Sequence, residues 1–297
     1  MKVGFNGAIL DAQEAVISVY DHGFLYGLGL FETFRTYGGR PFLLEWHLER
    51  LAQACRELGI RYHPDEEHLI GWLRELMNAN GLEEAYVRLT VSAGEEELGL
   101  PTGDYFRPNV VLLVKPLPLP SPKLDREGKE LRLLRTPRNT PEGETRYKSL
   151  HYMNNIVAKR ELSATDAPPG TEGLMCTRDG CLAEGIVSNL FFVREGKLCT
   201  PAVQTGILPG ITRRKVLELA SNMGIPAEEG LYTWSNLLQA EEVLLTNSVQ
   251  ELVPVTKLTD TKNTAVIVSG GESGRLTQRL LAAYREQAHG RKAETDA

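Results

Sequence analysis

The sequence predicts a mixed α/β protein made of two α/β units. Short apolar strands and amphipathic helices alternate along most of the 297 residues, and a proline-rich segment interrupts this alternation near the middle. A chain of this length can bury a separate core in each unit. We therefore expect a smaller N-terminal domain over 1–115, a linker over 116–128 and a larger C-terminal domain over 129–297.

The N-terminal part is predicted to contain strands and two helices. Strands are expected where apolar and polar residues alternate, in the segments 1–7, 15–21, 31–42, 85–94 and 109–117. Helices are expected over 44–60 and 65–81, each closed by a glycine. In the first helix Gly59 is that glycine, and one face carries the apolar residues Leu44, Leu48, Leu51, Cys55 and Leu58.

Prolines mark the boundary between the two parts. The segment 115–129, "KPLPLPSPKLDREGK", has four prolines spaced so that neither a helix nor a central strand is expected to persist. Beyond it, strands are predicted within 131–137, 173–201 and 241–255. Helices are predicted over 151–164, 212–224 and 274–290, and the tail 291–297 is expected to fray.

Charge and composition argue against several classes of function. Acidic residues outnumber basic ones by 39 to 33, for a net charge of −6, so a general polyanion-binding surface and a nucleic-acid partner are not expected. The sequence shows no signal-peptide h-region and no apolar window of transmembrane length, so no membrane partner is expected. The four cysteines lack zinc-type spacing with histidine and are interpreted as reduced thiols of a cytoplasmic protein. Cys176 and Cys181 flank a predicted hairpin turn, where packing is favoured over a disulfide.

Common catalytic motifs are missing from the sequence. It contains neither H-E-x-x-H nor G-x-S-x-G, and its one G-x-G, in "YGLGLFE", lacks the third glycine and the following helix of a dinucleotide site. The six histidines are scattered, with no pair that suggests a metal. We expect no metal, no P-loop and no nicotinamide site.

Two segments could bind a phosphate, and each also has an ordinary structural interpretation. In "TGILPGITRRKVLELA", Pro209 and Gly210 lead into a helix whose first turn offers free amides at Ile211 and the hydroxyl of Thr212. Many helices begin in this way without a ligand. In "LLTNSVQEL", Ser248 and the preceding asparagine leave a strand where small polar groups could reach a phosphate or simply end the strand.

Three charged residues are further candidates. Arg50 lies two positions after Leu48, off the leucine face, where it is either solvated or a phosphate ligand if that side of the helix faces a cleft. Glu184 stands among small and apolar residues, and a buried carboxylate needs a partner, which could be a pyridinium nitrogen. Lys148, in "TRYKSLHYMNN", has aromatic and amide neighbours, although most lysines are solvated surface charges.

Taken in order, these segments resemble the class IV aminotransferases, the fold type IV enzymes that use pyridoxal 5′-phosphate. The matching motifs cover nearly the whole chain in the order and approximate spacing of the family, and they are "DHGFLYGLGLFETFR", "HLERL", "YKSLHYMNN", "AEGIVSNLFF", "GILPGITRR" and "LTNSVQELVPV". The resemblance implies two α/β domains with the cofactor in the interdomain cleft, and a homodimer.

The resemblance also implies roles for individual residues. It identifies Lys148 as the lysine that binds the cofactor covalently, Glu184 as the partner of the ring nitrogen and Tyr152 as a contact of the ring hydroxyl. The phosphate ligands that it implies are Arg50, Ile211, Thr212 and Ser248. These residue types suit the chemistry of the cofactor. A lysine in a cleft beside a cationic cofactor has a lowered pKa, which favours the neutral amine that attacks an aldehyde, and a carboxylate keeps the ring nitrogen protonated.

Three activities share the scaffold of this family, and the sequence favours one. The D-amino-acid aminotransferases carry R-x-H soon after the strand that ends here in "VSAG", whereas "SAGEEELGLP" has neither residue. The branched-chain enzymes typically place glycine after the glutamate of "FETFR", where this chain has Thr33. With a hydroxyl at this position, the sequence resembles the lyases of the family. These enzymes convert 4-amino-4-deoxychorismate to pyruvate and p-aminobenzoate for folate biosynthesis.

We therefore expect a lyase in which Thr33 acts at the leaving group. The alternatives are a branched-chain or D-amino-acid aminotransferase of the same fold and a binding protein without catalytic activity. The substrate of a lyase carries two carboxylates, and the candidate ligands for them are Arg88, Arg107 and Arg146.

Overall fold

The computed structural model describes residues 1–117 and 121–290 and divides the chain into two compact units. The N-terminal unit is Met1–Leu119 together with Tyr147–His151, and the C-terminal unit is Pro120–Arg146 together with Tyr152–Ala297. Part of the predicted linker, 118–120, and the tail expected to fray, 291–297, lie outside the described residues. The predicted mixed α/β class is confirmed.

The N-terminal unit contains a sheet and helices. Its strands are β1 (Lys2–Phe5), β2 (Ala8–Asp11), β3 (Gly29–Tyr37), β4 (Arg40–Pro41), β5 (Tyr86–Ser92) and β6 (Asn109–Lys115), and its helices are α1 (His22–Tyr26), α2 (Leu44–Glu57) and α3 (Glu66–Ala79). Over the described residues the strands form a six-stranded sheet in the order β2-β1-β6-β5-β3-β4, with antiparallel neighbours.

Alternation along β3 separates the core of this unit from a second, more polar set of side chains. Leu30 and Phe34 point into the core, where α2 contributes its leucine face and α3 contributes Leu73 and Leu76. Because side chains alternate, Phe31, Thr33 and Arg35 point to the opposite face of the sheet. Gly59 follows the end of α2 with a φ of +68°, as the sequence predicts.

The C-terminal unit is larger and its sheet is mixed. Its strands are β7 (Lys129–Leu133), β8 (Glu172–Cys176), β9 (Leu182–Gly185), β10 (Asn189–Arg194), β11 (Lys197–Pro201), β12 (Ala227–Gly230), β13 (Glu242–Asn247), β14 (Glu251–Thr259) and β15 (Ala265–Ile267). Its helices are α4 (Pro122–Glu127), α5 (Met153–Ser163), α6 (Ile211–Asn222), α7 (Trp234–Leu237) and α8 (Arg275–Ala288).

Within the described residues, the strands of this unit follow the order β12-β11-β10-β13-β14-β7-β8-β9, and β15 pairs with β14. The pairs β11–β12, β14–β7 and β7–β8 are parallel and the other neighbours are antiparallel. Leucines of β7, β8, β10 and β13 are buried in one apolar cluster. This sheet carries Glu184 on β9 and ends β13 just before Ser248.

Two local predictions were wrong. Segment 15–21 forms no strand, and apart from an isolated bridge at Asp21 it pairs with no strand of the described chain, with Val16 73% and Val19 66% exposed. Alternation of apolar residues is not sufficient for a strand when no partner edge is available. The linker does contain a helix, α4, because Pro122 occupies its first turn, where a missing N–H costs nothing, and the Ser121 side chain accepts from Leu124 N at 3.2 Å.

The helices are too short or too polar to span a membrane. Among residues 1–117 and 121–290, no helix is long and apolar enough to cross a bilayer.

All four cysteines carry free thiols. Burial raises the pKa of Cys55 to about 12 and that of Cys176 to about 11, so neither has thiolate character at neutral pH.

Candidate active site

In the N-terminal unit, Lys148 is held by its backbone against β3. Phe31 N donates to Lys148 O at 2.9 Å, and Leu150 N donates to Gly29 O at 2.9 Å. Lys148 Nζ lies 4.8 Å from the centroid of the Phe31 ring. Two backbone hydrogen bonds therefore fix the segment that carries Lys148, and its amine lies beside an aromatic ring.

A guanidinium and a hydroxyl share the face of the sheet to which Phe31 points. Arg88 Cζ lies 3.7 Å from the centroid of the same Phe31 ring, and Arg88 Nε donates to Thr90 Oγ1 at 3.3 Å. Thr33 is paired directly with Arg88 in the β3–β5 register, so both side chains lie on that face. The structure thus brings Thr33 and Arg88 to the face that carries the ring contacted by Lys148.

On the opposite side of β3, Glu32 forms a buried cluster with two residues of α2. His47 Nδ1 lies 2.6 Å from Glu32 Oε2, and Arg50 donates to both carboxylate oxygens, from Nε to Oε1 at 2.8 Å and from Nη2 to Oε2 at 2.7 Å. Arg50 was expected to be either solvated or a phosphate ligand, and the solvated alternative is wrong because its side chain is only 16% exposed. Glu32 and His47 were not among the predicted site residues, although His47 and Arg50 have the three-residue spacing of one helix face and Glu32 alternates with Thr33 in β3.

Opposing effects set the acidities in this cluster. Burial by itself would raise the pKa of Glu32, but the charges of Arg50 and His47 and their hydrogen bonds lower it to about 2. Burial lowers the pKa of His47, and the cations of Arg50 and Lys148 act in the same direction against the attraction of Glu32. At neutral pH, Glu32 is therefore ionised and accepts from a neutral His47 whose proton is on Nδ1.

In the C-terminal unit, Glu184 is buried and has cationic and neutral donors. Arg138 Nε donates to its Oε1 at 2.8 Å, while Asn189 Nδ2 and Leu208 N donate to its Oε2 at 3.2 and 3.0 Å. Arg146 Nε lies 4.0 Å from Oε1. A partner for this carboxylate was expected, but Arg138 was not predicted, because the two residues are 46 positions apart and no motif links them.

The start of α6 and the end of β13 bring two hydroxyls together. Thr212 Oγ1 lies 3.3 Å from Ser248 Oγ, so two predicted phosphate ligands that are 36 positions apart in the sequence are neighbours. Gly210 is the N-cap of the helix and has no side chain with which to cap its first amides. A Cβ at Gly210 would overlap Asn189 Oδ1, so this position requires glycine. Ile211 begins the helix and is buried.

The remaining candidates lie at an element boundary or are already engaged. Tyr152 is the N-cap of α5 in the C-terminal unit and is partly buried. Asn247 accepts from Val249 N and Gln250 N at 3.0 and 2.8 Å, so its side chain serves the turn that follows β13. Arg146 is buried and donates to Gly206 O at 2.6 Å, and burial together with the nearby cation Arg138 lowers its pKa to about 10.

The predicted site residues are therefore divided between the units. Lys148, Thr33 and Arg50 belong to the N-terminal unit, and the C-terminal unit contains Glu184, Tyr152, Ile211, Thr212 and Ser248. In the part of the chain that the structure describes, no group of three or more His, Cys, Asp or Glu residues is arranged to hold a metal ion.

Comparison with known proteins gives consistent matches over almost the whole chain. The sequence profile of the amino-transferase class IV family matches residues 29–258. The aminodeoxychorismate lyase of Bacillus subtilis (strain 168) is 42% identical over 284 residues, which are 95% of this chain and 93% of that protein. The crystal structure of 4-amino-4-deoxychorismate lyase from Pseudomonas aeruginosa superposes with a TM-score of 0.82 at 29% identity, covering 97% of this chain and 100% of that one.

The crystal structure of an aminotransferase is as similar in fold as that of the lyase. The branched-chain aminotransferase of the thermophilic archaeon Thermoproteus uzoniensis, crystallised with norvaline, superposes with a TM-score of 0.82 at 28% identity. The superposition covers 99% of this chain and 96% of that chain. Fold similarity by itself therefore does not distinguish a lyase from an aminotransferase.

Proposed function

The chain belongs to the class IV aminotransferase family, whose enzymes use pyridoxal 5′-phosphate, and on that premise we propose that it is a 4-amino-4-deoxychorismate lyase. The observation that carries the proposal is the 42% identity to the lyase of Bacillus subtilis over 95% of the chain. The reaction converts one substrate into p-aminobenzoate and pyruvate, which would serve folate biosynthesis. We propose a cytoplasmic location, where the four free thiols would stay reduced.

The donor groups of the chain suit pyridoxal phosphate. Thr212 and Ser248 present neighbouring hydroxyls at the start of α6, where the N-cap is a glycine, and this arrangement suits a phosphate. Glu184 is a buried carboxylate with three donors, and a carboxylate can accept about four hydrogen bonds, so one more from a ring N–H is possible. Lys148 supplies the amine that an aldehyde requires.

We assign the holding residues as follows. Glu184 would pair with the ring nitrogen, and Tyr152 would contact the ring hydroxyl. The phosphate would be bound by Arg50, Ile211, Thr212 and Ser248. When bound, pyridoxal phosphate supplies a protonated ring that accepts the electron pair left by the breaking Cα–H bond. Arg138 Nε donates to Glu184 Oε1 at 2.8 Å and so holds the carboxylate in place for this pairing.

Lys148 is proposed to hold the cofactor covalently and then to remove a proton from the substrate. Lys148 would take this proton from the amine-bearing carbon of the substrate ring. The carbon–oxygen bond between the ring and the enolpyruvyl group then breaks, which leaves an aromatic ring. The released enolpyruvate takes up a proton to become pyruvate. No second substrate is consumed.

Thr33 and Arg88 are proposed to act on the substrate. Both lie on the face of the sheet to which Phe31 points, and the Phe31 ring contacts Lys148 Nζ. Thr33 would hold or protonate the leaving group, and Arg88 would bind a carboxylate. Of the other two candidate arginines, Arg146 is engaged by Gly206 O and Arg107 is an exposed residue, so we favour Arg88.

An aminotransferase is the second candidate, and its support is the similarity to the enzyme of Thermoproteus uzoniensis. An assay separates the two. Purified protein would be given 4-amino-4-deoxychorismate made in situ, and pyruvate and p-aminobenzoate would both be measured. Parallel reactions would contain branched-chain or D-amino acids with 2-oxoglutarate. Equal release of both products without a keto acid is expected, whereas turnover only in the keto-acid reactions would establish an aminotransferase.

We also propose that the enzyme is a homodimer. Support comes from the N-terminal unit, where apolar side chains of the segment before α1 and of α1 itself are exposed to an unusual degree. Val16, Val19 and Phe24 are 73%, 66% and 71% exposed. Exposed apolar surface of this kind is typical of association sites.

A further inference from the structure

We infer that Glu32, held in turn by His47, orients the Arg50 guanidinium for the cofactor phosphate, and this inference rests on the proposed role of Arg50. Glu32 is then a positioning residue that acts through Arg50 and does not itself touch the cofactor. Thr33, the next residue of β3, is assigned to the substrate, so neighbouring positions of one strand would serve the cofactor phosphate and the substrate separately.

The geometry that supports this role is bidentate. A guanidinium is a rigid planar group with three nitrogens, and Glu32 engages two of them, Nε and Nη2, at 2.8 and 2.7 Å. Two parallel contacts fix the plane of the group and therefore the direction of the third nitrogen, Nη1. An arginine held in this way loses less side-chain entropy when it binds an anion.

His47 completes the arrangement from the neighbouring turn of α2. Its Nδ1 donates to Glu32 Oε2 at 2.6 Å, and both side chains are 1% exposed. This hydrogen bond restricts rotation of the carboxylate, which would otherwise carry Arg50 with it. Glu32 is buried against two partners that are both on α2, so the position of Arg50 is tied to the packing of β3 on α2.

The same contact has an opposing electrostatic effect. A carboxylate next to Arg50 reduces the attraction of Arg50 for a phosphate, so a purely electrostatic view predicts tighter phosphate binding after Glu32→Gln. Positioning predicts weaker binding, since the glutamine amide can accept from only one of the two Arg50 nitrogens. The sign of the change therefore separates the two effects.

The experiment compares two ligands that differ only in the phosphate. Affinities of the full-length apoprotein for pyridoxal 5′-phosphate and for 5′-deoxypyridoxal would be measured from their absorption changes on binding. Their ratio isolates the phosphate contribution, because a loss of folded protein affects both ligands equally. For Glu32→Gln we expect this ratio to fall about tenfold or more, with little change in the affinity for 5′-deoxypyridoxal.

Variants of His47 give a second, independent measurement that does not require Glu32→Gln to fold. His47→Leu removes the hydrogen bond to Glu32 and is expected to lower the ratio several-fold, whereas His47→Asn keeps a donor near the position of Nδ1 and should restore most of it. Glu84→Gln is the matched control. Glu84 also accepts a hydrogen bond from β3, through Thr36 Oγ1, and another from Gly38 N, and neither of these donors is an arginine.

Arg50→Gln separates failure of this inference from failure of the assignment on which it rests. A lowered ratio in Arg50→Gln with an unchanged or higher ratio in Glu32→Gln and His47→Leu overturns the positioning role and leaves the proposed site intact. An unchanged ratio in Arg50→Gln removes Arg50 from the phosphate site, and the inference fails with that assignment. Lowered ratios in all three, with parental values for Glu84→Gln, support it.

Discussion

Single residues carry the chemistry, and each of the two units contains a buried acid that is held by an arginine. Glu32 lies against Arg50 and His47 in the N-terminal unit, and Glu184 lies against Arg138 in the C-terminal unit. Removing a carboxylate from water is costly unless charges and hydrogen bonds replace the lost solvation. Glu32 therefore keeps its charge although it is buried, and each acid contacts a proposed cofactor ligand or is one itself.

The first prediction concerns the pH dependence of stability. The pKa of Glu32 is lowered from 4.5 to about 2, so its contribution is fully present above pH 4.5 and is lost as the pH falls toward 2. The shift corresponds to roughly 3 kcal/mol. Denaturant unfolding of the parent and of Glu32→Gln between about pH 7 and pH 3 would measure it. The free-energy difference between the two proteins should shrink on acidification, and a constant difference would contradict the assignment.

Lys148→Ala is expected to abolish both turnover and the visible absorption band of the bound cofactor. Lys148 is the amine proposed to bind the aldehyde of the cofactor. The substitution does not remove the backbone hydrogen bond from Phe31 N to Lys148 O, so the segment should stay in place. Absorption spectra and a pyruvate assay would be recorded together. Lys123→Ala is the control, because Lys123 is exposed and its pairing with Glu127 is on the surface. Retention of the absorption band in Lys148→Ala would contradict the assignment of Lys148 as the residue that binds the cofactor covalently.

Thr33→Ala is expected to separate cofactor binding from chemistry. The cofactor spectrum should be that of the parent, and pyruvate release should slow by about 100-fold if the hydroxyl transfers a proton in the transition state. Thr33→Ser keeps the hydroxyl and should recover most of the rate. Equal rates for Thr33→Ala and the parent would remove Thr33 from the mechanism.

At the scale of elements, helix and strand ends place the polar groups. The start of α6 lies close to the turn after β13, which brings the hydroxyls of Thr212 and Ser248 together. Asn189, at the start of β10, donates both to Glu184 and to Leu208 O, and it packs against Gly210. One amide side chain therefore connects the acid on β9 with the start of α6.

Gly210→Ala tests this connection. The new methyl group would overlap Asn189 Oδ1, so Asn189 or the start of α6 must move, and we expect a loss of about 1–3 kcal/mol in stability together with weaker cofactor binding. Gly71→Ala is the matched control, since Gly71 lies in α3 and, apart from its chain neighbours and the backbone of its own helix, no described atom is within 4 Å of its Cβ position. That substitution should stabilise the protein by about 0.5–1 kcal/mol. Thermal unfolding and cofactor titration would measure both, and equal behaviour of the two variants would refute the argument.

At the scale of the whole molecule, the chain consists of two compact units with separate cores and different sheets. The segment Tyr147–His151, which carries Lys148, is distant in sequence from the rest of the N-terminal unit to which it belongs. The limits predicted for the domains, 1–115 and 129–297, stay a prediction.

The prediction at this scale concerns association. Val19→Asp and Phe24→Asp place charges on exposed apolar positions of the N-terminal unit, and we expect each to shift a dimer toward single chains. Ile267→Asp is the control, because Ile267 is 61% exposed but lies on β15 of the other unit. Sedimentation equilibrium of the three variants would decide. A parent that sediments as a single chain at all concentrations would contradict the dimer.

The sequence by itself determined the mixed α/β class, most of the helices and strands, and the family, because these depend on local periodicity and on the order of motifs along the chain. Its errors were local. It predicted a strand over 15–21 where no partner strand is available in the described chain, and it missed the short helices α1, α4 and α7 and the strands β2, β12 and β15.

Only the tertiary structure decided which charges lie together. Arg50 was predicted from a motif, but its contact with Glu32 depends on how β3 packs against α2, and the pairing of Glu184 with Arg138 joins residues 46 positions apart. Such partners leave no periodic signal, because a salt bridge requires proximity in space and not a fixed spacing in sequence. Burial and close charges then set the protonation of Glu32 and His47, since the cost of desolvation and the gain from a close opposite charge exist only in the folded chain.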